Sequence, residues 1–309
     1  MKLRKPCLPP GWYPRDPGKI SGFLRDCAAG TKGDGGPKSP VRAAAGPHAG
    51  WYYSGAIAAR AVAALADFPG AGDWEGTVAL IGGHLPSGMG PLFAMEEAVE
   101  TPLGNITIDG ELRDLLRGET GGEPDRWQDN TVEVFLPMIK YFFPRAGLLW
   151  LRLPAEISSF EAGKILVRAA RSLNRDLRVM GSTDLTHYGS NYGFYPQGFG
   201  PGALDWVRTV NDRRFIDAVE SGDPVLVLKR AEGERSACSA GAVLGVMGYA
   251  GELRAAAAGP AAGVDNMGSL DGAGRAGGEC IAYGTSADMG PENGEIPGSF
   301  VGYGAFVWR

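Results

Sequence analysis

The chain has 309 residues, 44% hydrophobic and 21% charged, with Lys+Arg 30 against Asp+Glu 35 and a formal charge of −5. A mildly acidic chain lacks the concentrated basic face that nucleic acid demands, no run approaches the ~18 apolar residues of a membrane span, and the apolar fraction suffices for a packed core. The basic start Met1-Lys2-Leu3-Arg4-Lys5-Pro6-Cys7 leads into no apolar stretch of the secretory kind, and the four cysteines form no CxxC pair, so a cytoplasmic protein with reduced thiols is expected.

In chain order, a turn-rich entry precedes a short helix around residues 19–27, started by Asp16 or Pro17. Residues 31–40 (TKGDGGPKSP) read as a surface loop by composition. Residues 41–45 are a buried strand delivering Gly46-Pro47-His48-Ala49-Gly50, and Ser54 is the expected N-cap of an alanine-rich helix over 56–65. A second buried strand, 77–82 (TVALIG), delivers Gly83-His84-Leu85-Pro86. Residues 104–109 read as an edge strand or hairpin, a helix begins at 110, and apolar residues at helical period mark 130–143. A strand at 146–153 is followed by an amphipathic helix at 158–173, capped by Ser158 or Ser159. The strand 177–181 delivers Ser182-Thr183-Asp184-Leu185-Thr186-His187-Tyr188-Gly189, after which 191–202 is an aromatic, glycine-rich loop. Helices near 203–221 and 240–250, then strands at 279–285 and 299–308, complete the reading. The strand–loop–helix rhythm, without a repeat or an evident linker, predicts an α/β fold: a single layered domain over residues 1–309, with mixed sheet flanked by helices.

The chemistry gathers where strands end. The only three histidines, His48, His84 and His187, each follow an apolar run within a few residues and are flanked by Gly or Pro. In α/β folds, ligand-binding groups collect beyond the carboxyl ends of strands. Taken singly, each histidine is better read as ordinary; three in one context favour a convergent site. Two imidazoles with a third, anionic group make an open metal site, and Cys238, Asp184 or a glutamate are candidates for that third group. Cys238 precedes a helix of small residues, where dipole and free N–H groups favour thiolate. Asp184 and His187, three apart, can project into one cleft, the carboxylate orienting the imidazole while it shuttles protons. Trp51, Tyr52, Tyr53, Tyr188, Tyr192 and Tyr195 lie beside these positions and suit the wall of a pocket for a small, planar or apolar substrate. GxGxxG, Walker and GxSxG patterns are absent, which disfavours dinucleotide, NTP and serine-hydrolase chemistry.

Four motifs in order — Pro47-His48-Ala49-Gly50-Trp51-Tyr52-Tyr53-Ser54-Gly55, Thr101-Pro102-Leu103-Gly104, Val132-Glu133-Val134-Phe135-Leu136-Pro137 and Ser182-Thr183-Asp184-Leu185-Thr186-His187-Tyr188-Gly189 — resemble the Memo-like family, component B of the AmmeMemoRadiSam system. Gly11-Trp12-Tyr13-Pro14 and the segments around Tyr283 and Tyr303 match as well, so the resemblance spans nearly the whole chain. It implies a fold like the LigB-type, class III extradiol dioxygenases. It also implies a metal pocket of two histidines and a cysteine, here His48, His84 and Cys238, with Asp184 and His187 beside it. Fe(II) is the first expectation for the metal, with Cu or Zn as the alternatives. The implied function is redox or modification chemistry on a small, aromatic substrate; the other reading is a non-catalytic, metal-binding scaffold. A radical-SAM enzyme and an AMMECR1-type protein are the implied partners. Two departures stand out: Asp129-Asn130-Thr131 replaces the usual Glu-His-Ser, and Gly82-Gly83-His84 is one residue shorter than Gly-Pro-Ser-His. A third reading, from the residues alone, makes Cys238 a nucleophile with His187 as its base.

Overall fold

The computed structural model describes residues 2–29, 40–258, 277–290 and 295–309. All but the last residue of the loop expected over 31–40 lies outside them.

Four apolar runs form the centre of the sheet. They become β1 (Ala43–Gly46), β2 (Thr77–Leu85), β5 (Gly147–Pro154) and β6 (Leu177–Ser182). Strands buried on both faces read as continuous apolar runs, the pattern of a parallel sheet covered by helices. The order in space is β1–β6–β2–β5, and every pair in it is parallel. All four carboxyl ends therefore emerge along one edge. Short strands β3 (Leu92–Phe93) and β4 (Glu123–Pro124) extend the sheet beyond β5. Beyond β1 lies β9 (Ser299–Trp308), antiparallel to it and paired also with β7 (His187–Gly189) and β8 (Glu279–Thr285). A second sheet joins Leu3–Arg4, Ala98–Val99 and Ile106–Thr107.

Alternate residues of the central strands feed two cores. Ala45, Ile81, Leu151 and Val179 pack under α6 (Ser158–Ser172) and α10 (Ala240–Ala258). Ala44, Leu80, Trp150 and Met180 pack under α1 (Pro17–Ala29), α2 (Ala56–Leu65) and α5 (Leu136–Phe142). Helices α6 and α10 approach so closely that a Cβ on Gly248 would stand 1.9 Å from the Phe160 carbonyl oxygen, and one on Gly163 would stand 2.0 Å from that of Gly245. Among the described residues no helix is long and apolar enough to cross a membrane.

The α/β class and most elements match the sequence reading, with five local differences. Ser54 does not cap α2: its hydroxyl donates backward to the Ala49 carbonyl at 3.0 Å, because a π-helical turn (Trp51–Gly55) runs straight into the helix. Neither Ser158 nor Ser159 caps α6, since Ile157 holds the N-cap and the Ser159 hydroxyl goes to the Pro154 carbonyl at 2.6 Å. The helical stretch 130–143 is two helices, α4 (Asn130–Glu133) and α5. Pro137 lacks the N–H that a continuous helix would donate to the Glu133 carbonyl, and it sits instead in the first turn of a new helix. The single helix expected over 203–221 is α7 (Pro201–Trp206), a second π turn (Val207–Asn211) and α8 (Asp212–Ser221). Helix α9 (Pro224–Glu234), capped by the Asp223 carboxylate, was not anticipated.

Candidate metal centre

The edge where the parallel strands end carries the site. His48 lies two residues past β1, His84 is the last residue but one of β2, Asp184 follows β6, and Cys238 lies two residues before α10. Two hydrogen bonds lock these loops together: the Thr183 N–H donates to the Gly46 carbonyl at 2.9 Å, and the Cys238 N–H to the Asp184 carbonyl at 3.2 Å. Glycine at position 83 lets β2 pass against the turn that carries Cys238, where a Cβ would stand 2.4 Å from that of Ser239. The pairing of β2 with β5 slips between Gly82 and Leu85, and within that irregularity His84 adopts φ 56°. Left-handed backbone in a residue other than glycine stores strain and gathers at functional sites.

The slip turns the His84 ring toward His48. The two Nε2 atoms stand 3.2 Å apart, and Cys238 Sγ lies 3.3 Å from His48 Nε2. One ligand atom from each of His48, His84 and Cys238 lies within 4.8 Å of the others. The opposite ring nitrogens have other partners: His48 Nδ1 is 2.7 Å from Ser182 Oγ, and His84 Nδ1 is 3.0 Å from Asp129 Oδ2. Both Nε2 atoms are thereby left to face one point, the arrangement of metal-ligating histidines oriented by partners behind them.

The electrostatics are those of a charged cluster. Burial alone pulls both imidazoles down, but neighbouring anions prevail. Asp184 and Cys238 raise His48, while the Asp129 and Cys238 contacts raise His84 to about 10. Burial pushes the Cys238 thiol up, yet the charges and hydrogen bonds of His48 and His84 carry it well below the ordinary thiol range. Asp129 falls to about 2: burial opposes this, but the His84 hydrogen bond and the Arg152 charge outweigh it. The two rings thus favour thiolate at Cys238, and a cation held there competes with protons for the same atoms.

A family model described as Memo-like protein matches residues 4–265. The chain belongs to the Memo-like family. Among its relatives is a MEMO1 family protein of Methanothermobacter thermautotrophicus, 28% identical over 236 residues that cover 72% of this chain and 78% of the relative. One of Pyrococcus horikoshii is 30% identical over 208 residues, covering 62% and 68%. One of Methanopyrus kandleri is 26% identical over 321 aligned positions, covering 99% of each.

This Memo-like chain does not bring every expected residue to the site. Asp184 is buried and lines the cavity, but its Oδ1 accepts the backbone N–H of His48 at 2.7 Å while its Oδ2 stands 3.8 Å from His187 Nε2, beyond hydrogen-bond reach. Burial is the first cause of its raised pKa, and His187 only opposes it. His187, half-buried, lies against the Tyr192 ring with centroids 4.9 Å apart. Trp51 and Tyr188 were expected on the pocket wall and are instead in the core. Trp51 stacks on Phe23 and donates to the Val134 carbonyl at 3.0 Å, and Tyr188 stacks on Phe300 at 5.1 Å. The π turn after His48 presents Tyr52 and Tyr53, edge to face, on a cavity of about 1000 Å³ that His48, His84, Asp184 and His187 also line. Tyr192, Trp12 and Tyr303 continue its aromatic wall. Arg152 escaped the sequence reading, although a lone cation inside the apolar run GLLWLRLP was the signal for it.

Proposed function

We propose that the protein is a metal-dependent redox or modification enzyme that holds one transition-metal ion through His48 Nε2, His84 Nε2 and Cys238 Sγ. The observation that carries this reading is the convergence of those three atoms, with the far nitrogen of each ring already engaged. The donor set fits a borderline-to-soft cation: two imidazoles and a thiolate suit Fe(II), Cu(I) and Zn(II) and disfavour Mg²⁺ or Ca²⁺. Fe(II) is the assignment we put first. With three protein ligands an ion there would keep a position free for substrate, and it would supply Lewis-acid or one-electron chemistry.

The protein's own groups prepare that position. Asp184 fixes the His48 backbone and places a buried carboxylate beside the ligands. His187 opens onto the same cavity with no short bond to Asp184, so its ring is available to hold or pass a proton. The wall of Tyr52, Tyr53, Tyr192 and Trp12 suits a small aromatic substrate. A non-catalytic, partner-binding subunit is the second reading. It draws on exposed Tyr52, Tyr53 and Met289, which line the cavity together, and on the exposed stacked pair Tyr195 and Phe199.

Elemental analysis of protein purified without oxygen tests the centre: about one metal ion per chain is expected, lost in His48→Ala. Full occupancy in a His48→Ala, His84→Ala double variant would sink the assignment. His187→Gln should keep its metal and melting temperature while turnover falls by the ~10²–10⁴-fold typical of acid–base groups. A variant that loses its metal would make His187 a ligand.

A further inference from the structure

We infer that Asp129 and Arg152 form a positioning clamp that sets the His84 ring for metal ligation, an inference that rests on the metal reading above. His84 is the exposed member of the triad, with 32% of its side chain accessible against 1% for His48. Its backbone is strained and its strand irregular. Packing alone therefore does not fix this ring, and something else must.

The clamp grips at three points. Arg152 Nε donates to the Gly83 carbonyl at 3.0 Å, holding the backbone just before His84. The Gly83 N–H donates to Thr131 Oγ1 at 3.2 Å, closing the other side. Asp129 Oδ2 then holds the ring at Nδ1, and Arg152 Nη2 anchors that same oxygen at 3.1 Å. Asp129 divides its two oxygens between two tasks. Oδ1 caps α4 through the Thr131 N–H at 2.8 Å, as any N-cap aspartate would. Oδ2 is not needed for the cap and goes entirely to His84 and Arg152.

Arg152 is itself fixed. Its side chain is 4% exposed, and Nη1 faces Asp125 Oδ1 at 3.5 Å. Asp125 in turn accepts from Trp150 Nε1 at 2.9 Å. A buried arginine between two carboxylates gains little stability over apolar residues of the same volume. The planar fork does what a point charge cannot: Nε reaches the strand backbone and Nη2 beside it reaches the Asp129 carboxylate, while Nη1 faces Asp125. A carboxylate behind the ring also makes imidazole a better donor than the hydroxyl behind His48 does. His84 is thereby the ligand whose strength and direction the protein sets most actively.

Two readouts test this. Zn²⁺ affinity is measured by chelator competition on metal-free wild type and on Asp129→Asn, Asp129→Glu and Arg152→Lys. The Nδ1–H proton of His84 is observed by NMR in ¹⁵N-labelled metal-free protein. Asp129→Asn and Arg152→Lys should weaken Zn²⁺ 10–100-fold, the usual effect of removing a partner behind a ligand. The wild-type Nδ1–H signal should broaden away in Asp129→Asn and return in Asp129→Glu. Affinities within twofold of wild type, with the signal unchanged, overturn the clamp. Wild type that takes up no Zn²⁺ refutes the metal reading instead, and the NMR signal then still decides whether Asp129 holds the ring. Asparagine caps a helix as well as aspartate does, so Asp129→Asn keeps the start of α4 while removing the carboxylate, and Arg152→Lys, which leaves Asp129 in place, serves if it does not fold.

Discussion

Replacing Gly83 by alanine should damage fold and site together. The added Cβ would stand 2.4 Å from Ser239 Cβ, 2.5 Å from its Oγ and 2.9 Å from its Cα, where ordinary contact begins at 3.4 Å. The deficit is thus a full ångström, and it lies against backbone and Cβ rather than the tip of a flexible side chain. Gly83 is not among the glycines with left-handed backbone, so overpacking is the whole effect. Ser239 cannot retreat alone, because its N–H is bonded to Thr183 Oγ1 at 3.2 Å and the preceding Cys238 N–H to Asp184. Relief comes by parting the strand that bears His84 from the turn that bears Cys238. Overpacking of this kind costs about 1–3 kcal/mol, and the displaced ligands should lower metal affinity at least tenfold. Urea denaturation of the metal-free protein and chelator competition measure the two effects separately. Gly118→Ala in α3 (Gly110–Thr120), where a Cβ meets nothing within 4 Å, is the control and should gain about 0.5–1 kcal/mol from helix propensity. A Gly83→Ala variant as stable as wild type and with unchanged affinity would refute the reasoning.

Burial pushes Cys7 and Cys280 to about 11 and raises Cys27, whereas Cys238 is lowered. Iodoacetamide mapped by mass spectrometry at neutral pH should therefore label Cys238 fastest in metal-free protein, and bound metal should protect it. Asp212 gives the pH dependence. Burial, only partly offset by hydrogen bonds from Thr186 and Tyr283, raises it to about 6 from an unfolded value near 3.9. The native state then binds the proton more tightly, so this contribution is complete below about pH 4 and lost as pH rises through 6. Two units correspond to about 3 kcal/mol. Asp212→Asn should gain on wild type by up to that amount between pH 4 and pH 8 in denaturant titrations, and parallel profiles would contradict it.

The legible part of the molecule was local. Apolar runs such as TVALIG fixed the central strands because burial on both faces leaves no other composition, and three histidines at strand ends marked the edge where the site lies. Cys238 was one of three candidates for the third ligand, and only the packing of α10 on the sheet brings it to His48. Contacts across the chain were not legible. The pairing of Asp129 with His84 spans 45 residues, and that of Arg152 with the Gly83 carbonyl spans 69. The two π turns carry no composition of their own, and the first, Trp51–Gly55, decides which aromatics face the cavity. Trp51 and Tyr52 are neighbours in sequence, but one is core and the other 64% exposed.

The left-handed backbone of His84 is a local cost that the scaffold carries at this centre. Glycine accepts φ near 56° without that cost, and the strain it would relieve, roughly 1 kcal/mol, is set against the ring's bond to Asp129. Thermal ranking of His84→Asn and His84→Gly above the metal-free wild type would show that the fold tolerates the site rather than needs it.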